Sequence, residues 1–175
     1  EFQELATEWE LSPQVNGDLG DRMRAYFKSS IDRGYRSTIL VGSDSPNLPC
    51  DMIQSAFERL EIFSVVLGPA ADGGYYLIGS RDIVPPVFNG IEWSTEHVLE
   101  QTMANLQSAG IAFDLLPRWY DVDSYNELLR LTRDLRETCD QTLAPLAALV
   151  TEIVNTSDEQ VNPTWPSWSP CHSGC

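Results

Sequence analysis

Acidic residues follow three hydrophobic, strand-like segments of this chain, and they are the side chains best placed to do chemistry. Asp44 follows the first segment, Asp72 the second, and Asp121 and Asp123 the third. In open α/β sheets, ligands bind just outside the carboxyl ends of the strands. The sequence therefore predicts that these carboxylates converge on one edge of a sheet, at a ligand site.

Asp44 admits two interpretations. A carboxylate at the end of a strand is a good ligand for Mg²⁺ or Mn²⁺, because these hard cations join carboxylate oxygens to phosphates. The segment from Ser43 to Pro46 is also an ordinary turn sequence, in which an aspartate bonds to its own backbone or caps a helix. The residue types favour neither interpretation over the other.

The other acidic turns also admit two interpretations, and for the Asp72 turn the residues favour a plain hairpin. The two glycines of Asp72-Gly73-Gly74 are needed if the backbone passes close to something or adopts a positive φ. A sugar or phosphate packed against the loop would require this, and so would a plain hairpin turn. Asp121 and Asp123 flank a valine, so in extended geometry their side chains share one face and suit a metal contact. Asp123 also lies where a helix is predicted to begin.

Alternating strand and helix patterns must position these turns. Strands are predicted at residues 37–42, 64–68, 75–78 and 112–116, and helices at residues 19–31, 49–60, 94–109 and 145–154. A further helix begins after Asp123, because Ser124 and Glu127 have capping-box spacing. This alternation predicts an α/β fold, with a three-layer, mainly parallel sheet and helices on both faces. We expect one domain over residues 1–154 and an irregular tail over residues 155–175.

Composition excludes several classes of partner. The formal net charge is −15, with 26 acidic residues against 11 lysines and arginines, so no basic stripe is available for a nucleic acid. No run approaches the roughly 20 apolar residues of a membrane span. The chain opens on Glu1-Phe2-Gln3-Glu4, which is unlike a signal peptide. These patterns predict a cytoplasmic protein that binds neither nucleic acid nor membrane.

The four cysteines form no Cys-x-x-Cys pair. This spacing favours free thiols in a reducing compartment over a disulfide framework. Cys171, His172 and Cys175 have metal-like spacing, but three groups at the end of a chain are slender support for a metal site.

Five motifs, in order, resemble a known family over residues 11–131. They lie at residues 14–23, 42–49, 67–79, 91–95 and 120–124. The set looks like the small glycosyltransferase-A-type proteins known as arsenosugar-biosynthesis glycosyltransferases. It is similar, more distantly, to the molybdenum-cofactor and phospholactate guanylyltransferases. The resemblance implies the Rossmann-like fold of the nucleotide-diphospho-sugar transferases.

The resemblance also implies roles for particular residues. Asp44 would match the metal-binding aspartate of that fold, and Asp123 would approach the metal or the diphosphate. The substrate-binding segment near the nucleotide base would contain Gln14, Gly17 and Asp18. Residues bordering the sugar and the acceptor would be Asp72, Gly73, Gly74, Trp93 and Thr95.

Relatives of this type begin with a further strand, a turn and a basic segment that holds the phosphates, and this chain shows no such segment before Gln14. We therefore expect the first βαβ unit to be missing, and the phosphates to depend on arginines already present, Arg22 first. An unprotected sheet edge would make the chain alone weakly stable or self-associating, with little activity.

The sequence thus predicts a glycosyltransferase that uses a nucleotide-diphospho-sugar donor, a small-molecule acceptor and a divalent Mg²⁺ or Mn²⁺ ion. Asp72 is the candidate for orienting or activating the acceptor. Two alternatives stay open. One is nucleotidyl transfer to an acceptor phosphate on the same fold, and the other is a non-catalytic remnant that serves as a binding module.

Overall fold

The computed structural model describes residues 9–138 and 140–161. The chain clusters into two compact units that divide between Asp121 and Val122. A four-stranded sheet with helices makes up the first unit, and helices make up the described part of the second. Each unit has a core of its own. The single domain expected over residues 1–154 stays a prediction.

Every strand and helix predicted for the first unit is present, with shifted ends. In chain order they are helix α1 (Leu19–Asp32), strand β1 (Ser37–Val41), helix α2 (Cys50–Leu60), strands β2 (Val65–Pro69) and β3 (Tyr75–Arg81), helix α3 (Val98–Ser108) and strand β4 (Phe113–Leu115). The largest shift is at α3, for which the sequence predicts Ser94 or Thr95 as the N-cap, whereas the N-cap is His97. Ser94 has a φ of 65°, which is left-handed and cannot start a right-handed helix.

The prediction of a mainly parallel sheet is wrong, because two of the three strand pairings in the described sheet are antiparallel. The order is β1-β3-β2-β4, and β3 pairs antiparallel with both β1 and β2, whereas only β2 and β4 pair in parallel. The reason is a tight turn at residues 70–74, closed by the Ala70 N–H, which donates to Gly74 O at 3.0 Å. So short a connection can join only antiparallel neighbours. β1, β2 and β4 still run in one direction, with β3 reversed between them.

Each face of this sheet has its own hydrophobic core. Val65, Leu67 and Ile78 point to one face, where they pack with residues of α1 and α3 such as Phe27 and Leu106. The alternate residues point to the other face, where Val66 and Leu77 pack with Ala56 and Leu60 of α2. All five residues of β2 are buried, as expected for a strand covered on both faces.

The second unit contains helix α4 (Tyr125–Glu137), a short 3-10 turn (Gln141–Leu143) and helix α5 (Ala144–Val161). The predicted capping box is confirmed at the start of α4. Leu131, Leu135 and Val150 are the buried residues where α4 and α5 pack together. The predicted tail is corrected in part, because α5 continues past residue 154 to Val161; residues 155–161 contain no glycine or proline to end it. The rest of the predicted tail, residues 162–175, lies outside the described residues.

Cys50 is a free, exposed thiol. The other three cysteines, at positions 139, 171 and 175, lie outside the described residues, as does His172. None of the helices in the described ranges is both long enough and apolar enough to cross a membrane.

Candidate functional site

The first unit contains a cavity of about 850 Å³ at the edge of the sheet where β1 and β2 end. It is lined by the segment before α1, by one side of α1, by the turns that follow β1 and β2, and by the loop that precedes α3. The predicted site residues among its lining are Gln14, Arg22, Asp44, Asp72, Gly74, Trp93 and Thr95.

Three carboxylates reach this cavity because of the sheet topology. The Gly42 N–H donates to Tyr76 O at 2.9 Å, which aligns the end of β1 with the start of β3 and so with the turn that carries Asp72. The segment after β4 stays beside β2, where the Trp119 N–H donates to Pro69 O at 3.0 Å. The side chains of Asp44, Asp72 and Asp121 therefore line one cavity, as the strand-end pattern predicts.

The position of the Asp44 carboxylate depends on Gly42, the glycine just before its turn. A Cβ atom at Gly42 would lie 2.5 Å from Asp44 Oδ1, so a side chain there would push the carboxylate away. The Asp44 side chain is exposed to solvent at the cavity. This turn therefore leaves the carboxylate accessible to a ligand.

A buried polar network joins the Asp44 turn to Asp121. Ser45 Oγ lies 2.7 Å from Asp121 Oδ1 and 3.1 Å from Tyr120 O, and Asn47 Nδ2 donates to the Tyr120 hydroxyl at 2.8 Å. Ser45, Asn47 and Tyr120 are all buried. Sequence reasoning singled out none of these three residues, although it named both Asp121 and Asp123 as suited to a metal contact. The polar Ser45 and Asn47 beside Asp44 were the available signal.

The Asp72 turn is a hairpin whose glycines have structural roles. Asp72 Oδ1 accepts the Gly74 N–H at 2.9 Å. Gly73 has a φ of 95°, and a Cβ there would overlap the carbonyl oxygen of Glu96. The Leu99 N–H donates to Gly73 O at 2.9 Å, so the turn packs directly on the start of α3. Gly73 is thus required by packing, while its role in substrate binding stays a prediction.

Gln14 and Arg22 come together at the start of α1. Arg22 Nη1 donates to Gln14 Oε1 at 3.3 Å. Asp18 caps the helix by accepting the Asp21 N–H at 2.8 Å, and Gly17 adopts a φ of 130° just before it. Among the described residues that line the cavity, Arg22 is the one cationic side chain.

Four aromatic residues also line the cavity: Tyr26, Tyr75, Tyr76 and Trp93. Trp93 packs against α1 at Gly20, where a Cβ would lie 2.8 Å from the Trp93 ring. The Trp93 Nε1 atom is buried and has no hydrogen-bond partner in the described part of the protein. Burial raises the pKa of the Tyr75 phenol above its usual range.

Asp123 belongs to the second unit. Its N–H donates to Glu127 Oε2 at 3.0 Å, and the Ser124 N–H donates to the same oxygen at 2.8 Å. Hydrogen bonds lower the pKa of Glu127. The largest effect comes from Ser124, and the next comes from the Asp123 N–H. The backbone of Asp123 is therefore part of the α4 cap, and its predicted metal contact stays a prediction.

The cavity contains carboxylates of the type that hard divalent cations prefer, and a bound cation stays a prediction. Within residues 9–138 and 140–161, no group of three or more His, Cys, Asp or Glu side chains is arranged to hold a metal ion by itself. Mg²⁺ characteristically binds through one or two carboxylates together with phosphate oxygens. The carboxylates of Asp44 and Asp121 are of the required type.

Comparison with known proteins agrees with this architecture. Residues 1–95 match the family described as "Uncharacterized protein conserved in bacteria (DUF2064)". No curated protein sequence gives a significant match. The fold is similar to the 1.90 Å crystal structure of a "putative nucleotide-diphospho-sugar transferase" from Desulfovibrio desulfuricans G20. The TM-score is 0.77 at 32% identity, over 90% of this chain and 69% of that one. The chain therefore belongs to the DUF2064 family, within the nucleotide-diphospho-sugar transferase superfamily.

Proposed function

We propose that this protein is a glycosyltransferase that uses a nucleotide-diphospho-sugar donor with Mg²⁺ or Mn²⁺. The observation that carries the proposal is the convergence of Asp44, Asp72 and Asp121 on one cavity at the carboxyl edge of the sheet. The similarity to the Desulfovibrio desulfuricans protein supports the donor class.

Asp44 and Asp121 would hold the cation, while the role of Asp123, which the family resemblance favours, stays a prediction. When bound, the cation supplies positive charge that stabilises the diphosphate leaving group. Arg22 would contribute a guanidinium to the same phosphates, because such groups form charge-assisted hydrogen bonds with phosphate oxygens. Gln14, which Arg22 contacts, would lie near the nucleotide base.

The acceptor would bind near the Asp72 turn and the loop before α3. Trp93 offers an apolar face for a sugar ring, and Thr95 lies beside it on the cavity lining. Asp72 would orient the acceptor hydroxyl as it attacks the anomeric carbon. One of its oxygens accepts the Gly74 N–H, which fixes the carboxylate in place.

Charge favours glycosyl transfer over nucleotidyl transfer. Among the described residues that line the cavity, three carry a carboxylate and one carries a guanidinium. This negative charge would repel a second anionic substrate beside the nucleotide. Nucleotidyl transfer needs an acceptor phosphate beside a nucleoside triphosphate, whereas glycosyl transfer needs only a neutral hydroxyl. A place in arsenosugar biosynthesis is a narrower proposal that rests on the sequence motifs alone.

Thermal-shift measurements with a panel of nucleotide sugars, with and without Mn²⁺, test the proposal. Ligand binding to the folded state raises the melting temperature by mass action. We expect a Mn²⁺-dependent rise that Asp44→Asn removes and that Asp51→Asn keeps, since Asp51 is an exposed acid of α2 outside the cavity lining. Release of the nucleoside diphosphate in the presence of sugar acceptors would then establish turnover. A metal-dependent rise without release would indicate a binding module, and no rise with any donor would refute the proposal.

A further inference from the structure

The loop before α3 contains a backbone conformation that is rare for its residue type. Ser94 has a φ of 65°, in the left-handed region that residues other than glycine seldom adopt and that asparagine and aspartate tolerate best. Among the described residues, the other non-glycine residue with a positive φ is Asp82, whose carboxylate pairs with Arg36 and Arg81. The Ser94 hydroxyl forms no hydrogen bond within the described residues. In that part of the chain, the side chain of Ser94 therefore makes no polar contact that compensates for the strain.

Hydrogen bonds fix the loop on both sides of Ser94. Before it, the Glu92 N–H donates to Gln101 Oε1 at 2.8 Å, and Gln101 Nε2 donates to Glu92 Oε2 at 3.1 Å. After it, Thr95 Oγ1 donates to Glu92 O at 2.7 Å and accepts the His97 N–H at 3.3 Å. A strained backbone persists only where the surrounding structure holds it in place. These hydrogen bonds therefore hold Ser94 in the left-handed conformation.

The same loop packs on the turn that carries Asp72. The Leu99 N–H donates to Gly73 O at 2.9 Å, and a Cβ atom at Gly73 would overlap the carbonyl oxygen of Glu96. Ser94 and Asp72 both line the cavity. The packing of the loop on the turn therefore holds the Ser94 hydroxyl and the Asp72 carboxylate in a fixed relation at one wall of the cavity.

A turn of this shape does not by itself require a serine. Glycine adopts a left-handed φ without steric cost, and Gly90 and Gly110 do so in this chain, with φ values of 68° and 65°. A glycine at position 94 would let the backbone follow the same path with less strain. What the serine adds is a hydroxyl group at the cavity. Because strained residues are concentrated at binding sites, this combination points to a role in binding.

We propose that Ser94 is a substrate-binding residue whose hydroxyl forms a hydrogen bond with a sugar hydroxyl of the donor or of the acceptor. The inference rests on the proposed glycosyltransferase function and adds to it a residue that recognises the sugar. A serine hydroxyl both donates and accepts, as sugar hydroxyls do, whereas the Asp72 carboxylate only accepts. Trp93 and Ser94 line the cavity side by side, so together they would offer a sugar ring an apolar face and a polar group.

Calorimetric titration of Ser94→Ala, which removes only the hydroxyl, tests the proposal. The probe is the nucleotide sugar that gives the largest Mn²⁺-dependent thermal shift with the wild type. We expect its dissociation constant to rise about threefold to tenfold, as for one lost neutral hydrogen bond, and that of the nucleoside diphosphate without the sugar to stay unchanged. If Ser94 contacts the acceptor instead, the acceptor KM rises by a similar factor while donor binding is unchanged. Ser108→Ala is the control, since Ser108 is an exposed residue of α3 outside the cavity lining.

A second variant separates the hydroxyl from the backbone. Ser94→Gly removes both the hydroxyl and the strain, so its melting temperature should equal or exceed that of the wild type while its affinity for the sugar-bearing substrate falls. Gly110→Ser introduces the same strain elsewhere, at a φ of 65° where a Cβ meets nothing within 4 Å. It should lower the melting temperature and leave the affinity unchanged.

The outcomes distinguish this assignment from the proposed function. Equal donor affinities and equal acceptor KM values in the wild type, Ser94→Ala and Ser94→Gly would overturn the role of Ser94 and leave the glycosyltransferase proposal intact. An equal loss of affinity for the nucleoside diphosphate would also overturn it, because the effect would not depend on the sugar. A wild type that binds no nucleotide sugar would refute the proposed function and this assignment together.

Discussion

The hydroxyl group of Ser45 lies 2.7 Å from Asp121 Oδ1, and this contact joins two of the three turns that meet at the cavity. Ser45 is only 5% exposed, so the hydrogen bond is sheltered from water. Hydrogen bonds to charged groups are stronger than those between neutral groups. The Asp44 turn and the Asp121 segment are therefore held together by a side chain that itself lies out of solvent.

Ser45→Ala should lower the free energy of unfolding by about 1–3 kcal/mol, because Asp121 loses a donor. It should also reduce any Mn²⁺-dependent stabilisation by nucleotide sugars, since groups that orient ligating carboxylates affect metal affinity. Ser80→Ala is the matched control, as Ser80 is buried and donates to Ile83 O at 2.8 Å. Equal ligand responses in both variants would show that Ser45 is structural only.

Gly73→Ala should destabilise the protein more than Gly34→Ala. Both glycines have positive φ, 95° and 86°, and an alanine at such a position costs about 1–2 kcal/mol. A Cβ at Gly34 meets nothing within 4 Å, whereas one at Gly73 would lie 2.7 Å from Glu96 Cα. We expect an additional cost of about 1–3 kcal/mol from this overlap. Denaturant midpoints measure both variants, and equal losses would contradict the packing role of Gly73.

Arg22→Gln should weaken the binding of nucleotide sugars about tenfold and make the remaining binding less sensitive to salt, because a charge-assisted contact is lost. Arg24→Gln is the control from the same helix. Arg24 forms its ion pair with Asp21 at 2.8 Å and is absent from the cavity lining. Calorimetric titrations at two salt concentrations would measure the effect. Unchanged affinity in Arg22→Gln would show that the phosphates are held elsewhere.

The cap of α4 should make the second unit sensitive to acid. The pKa of Glu127 is lowered by its hydrogen bonds with Ser124 and the Asp123 N–H. Its contribution to stability is therefore complete above the pKa of the unfolded chain and is lost as the pH falls through the lower, folded pKa. Thermal melts by circular dichroism against pH should show this loss in the wild type and a flatter profile in Glu127→Gln.

The control for the cap is Glu137→Gln, at the last residue of the same helix. An acid at a helix C-terminus opposes the macrodipole, so its removal should leave stability unchanged or slightly raised. Ser124→Ala should cost about 1 kcal/mol through loss of the N-cap. Equal effects of Glu127→Gln and Glu137→Gln would contradict the capping role.

Short-range features of this protein could be predicted from its sequence. The capping box of Ser124 and Glu127 is confirmed, because it depends on residues within one helical turn. The strand segments were also recognisable, since their apolar runs are bounded by turn residues. Even the convergence of Asp44 and Asp72 followed from one rule about the ends of strands.

Only the tertiary structure decided which strands became neighbours and which side chains met. The insertion of β3 between β1 and β2 depends on a hairpin that no apolar pattern specifies, and it made the sheet mixed. The contact of Ser45 with Asp121, and that of Gly73 with Glu96, joins segments that are distant in sequence. Spacing along a chain encodes contacts within a few residues, whereas contacts across a fold depend on how whole elements pack, and that is settled by the core they share.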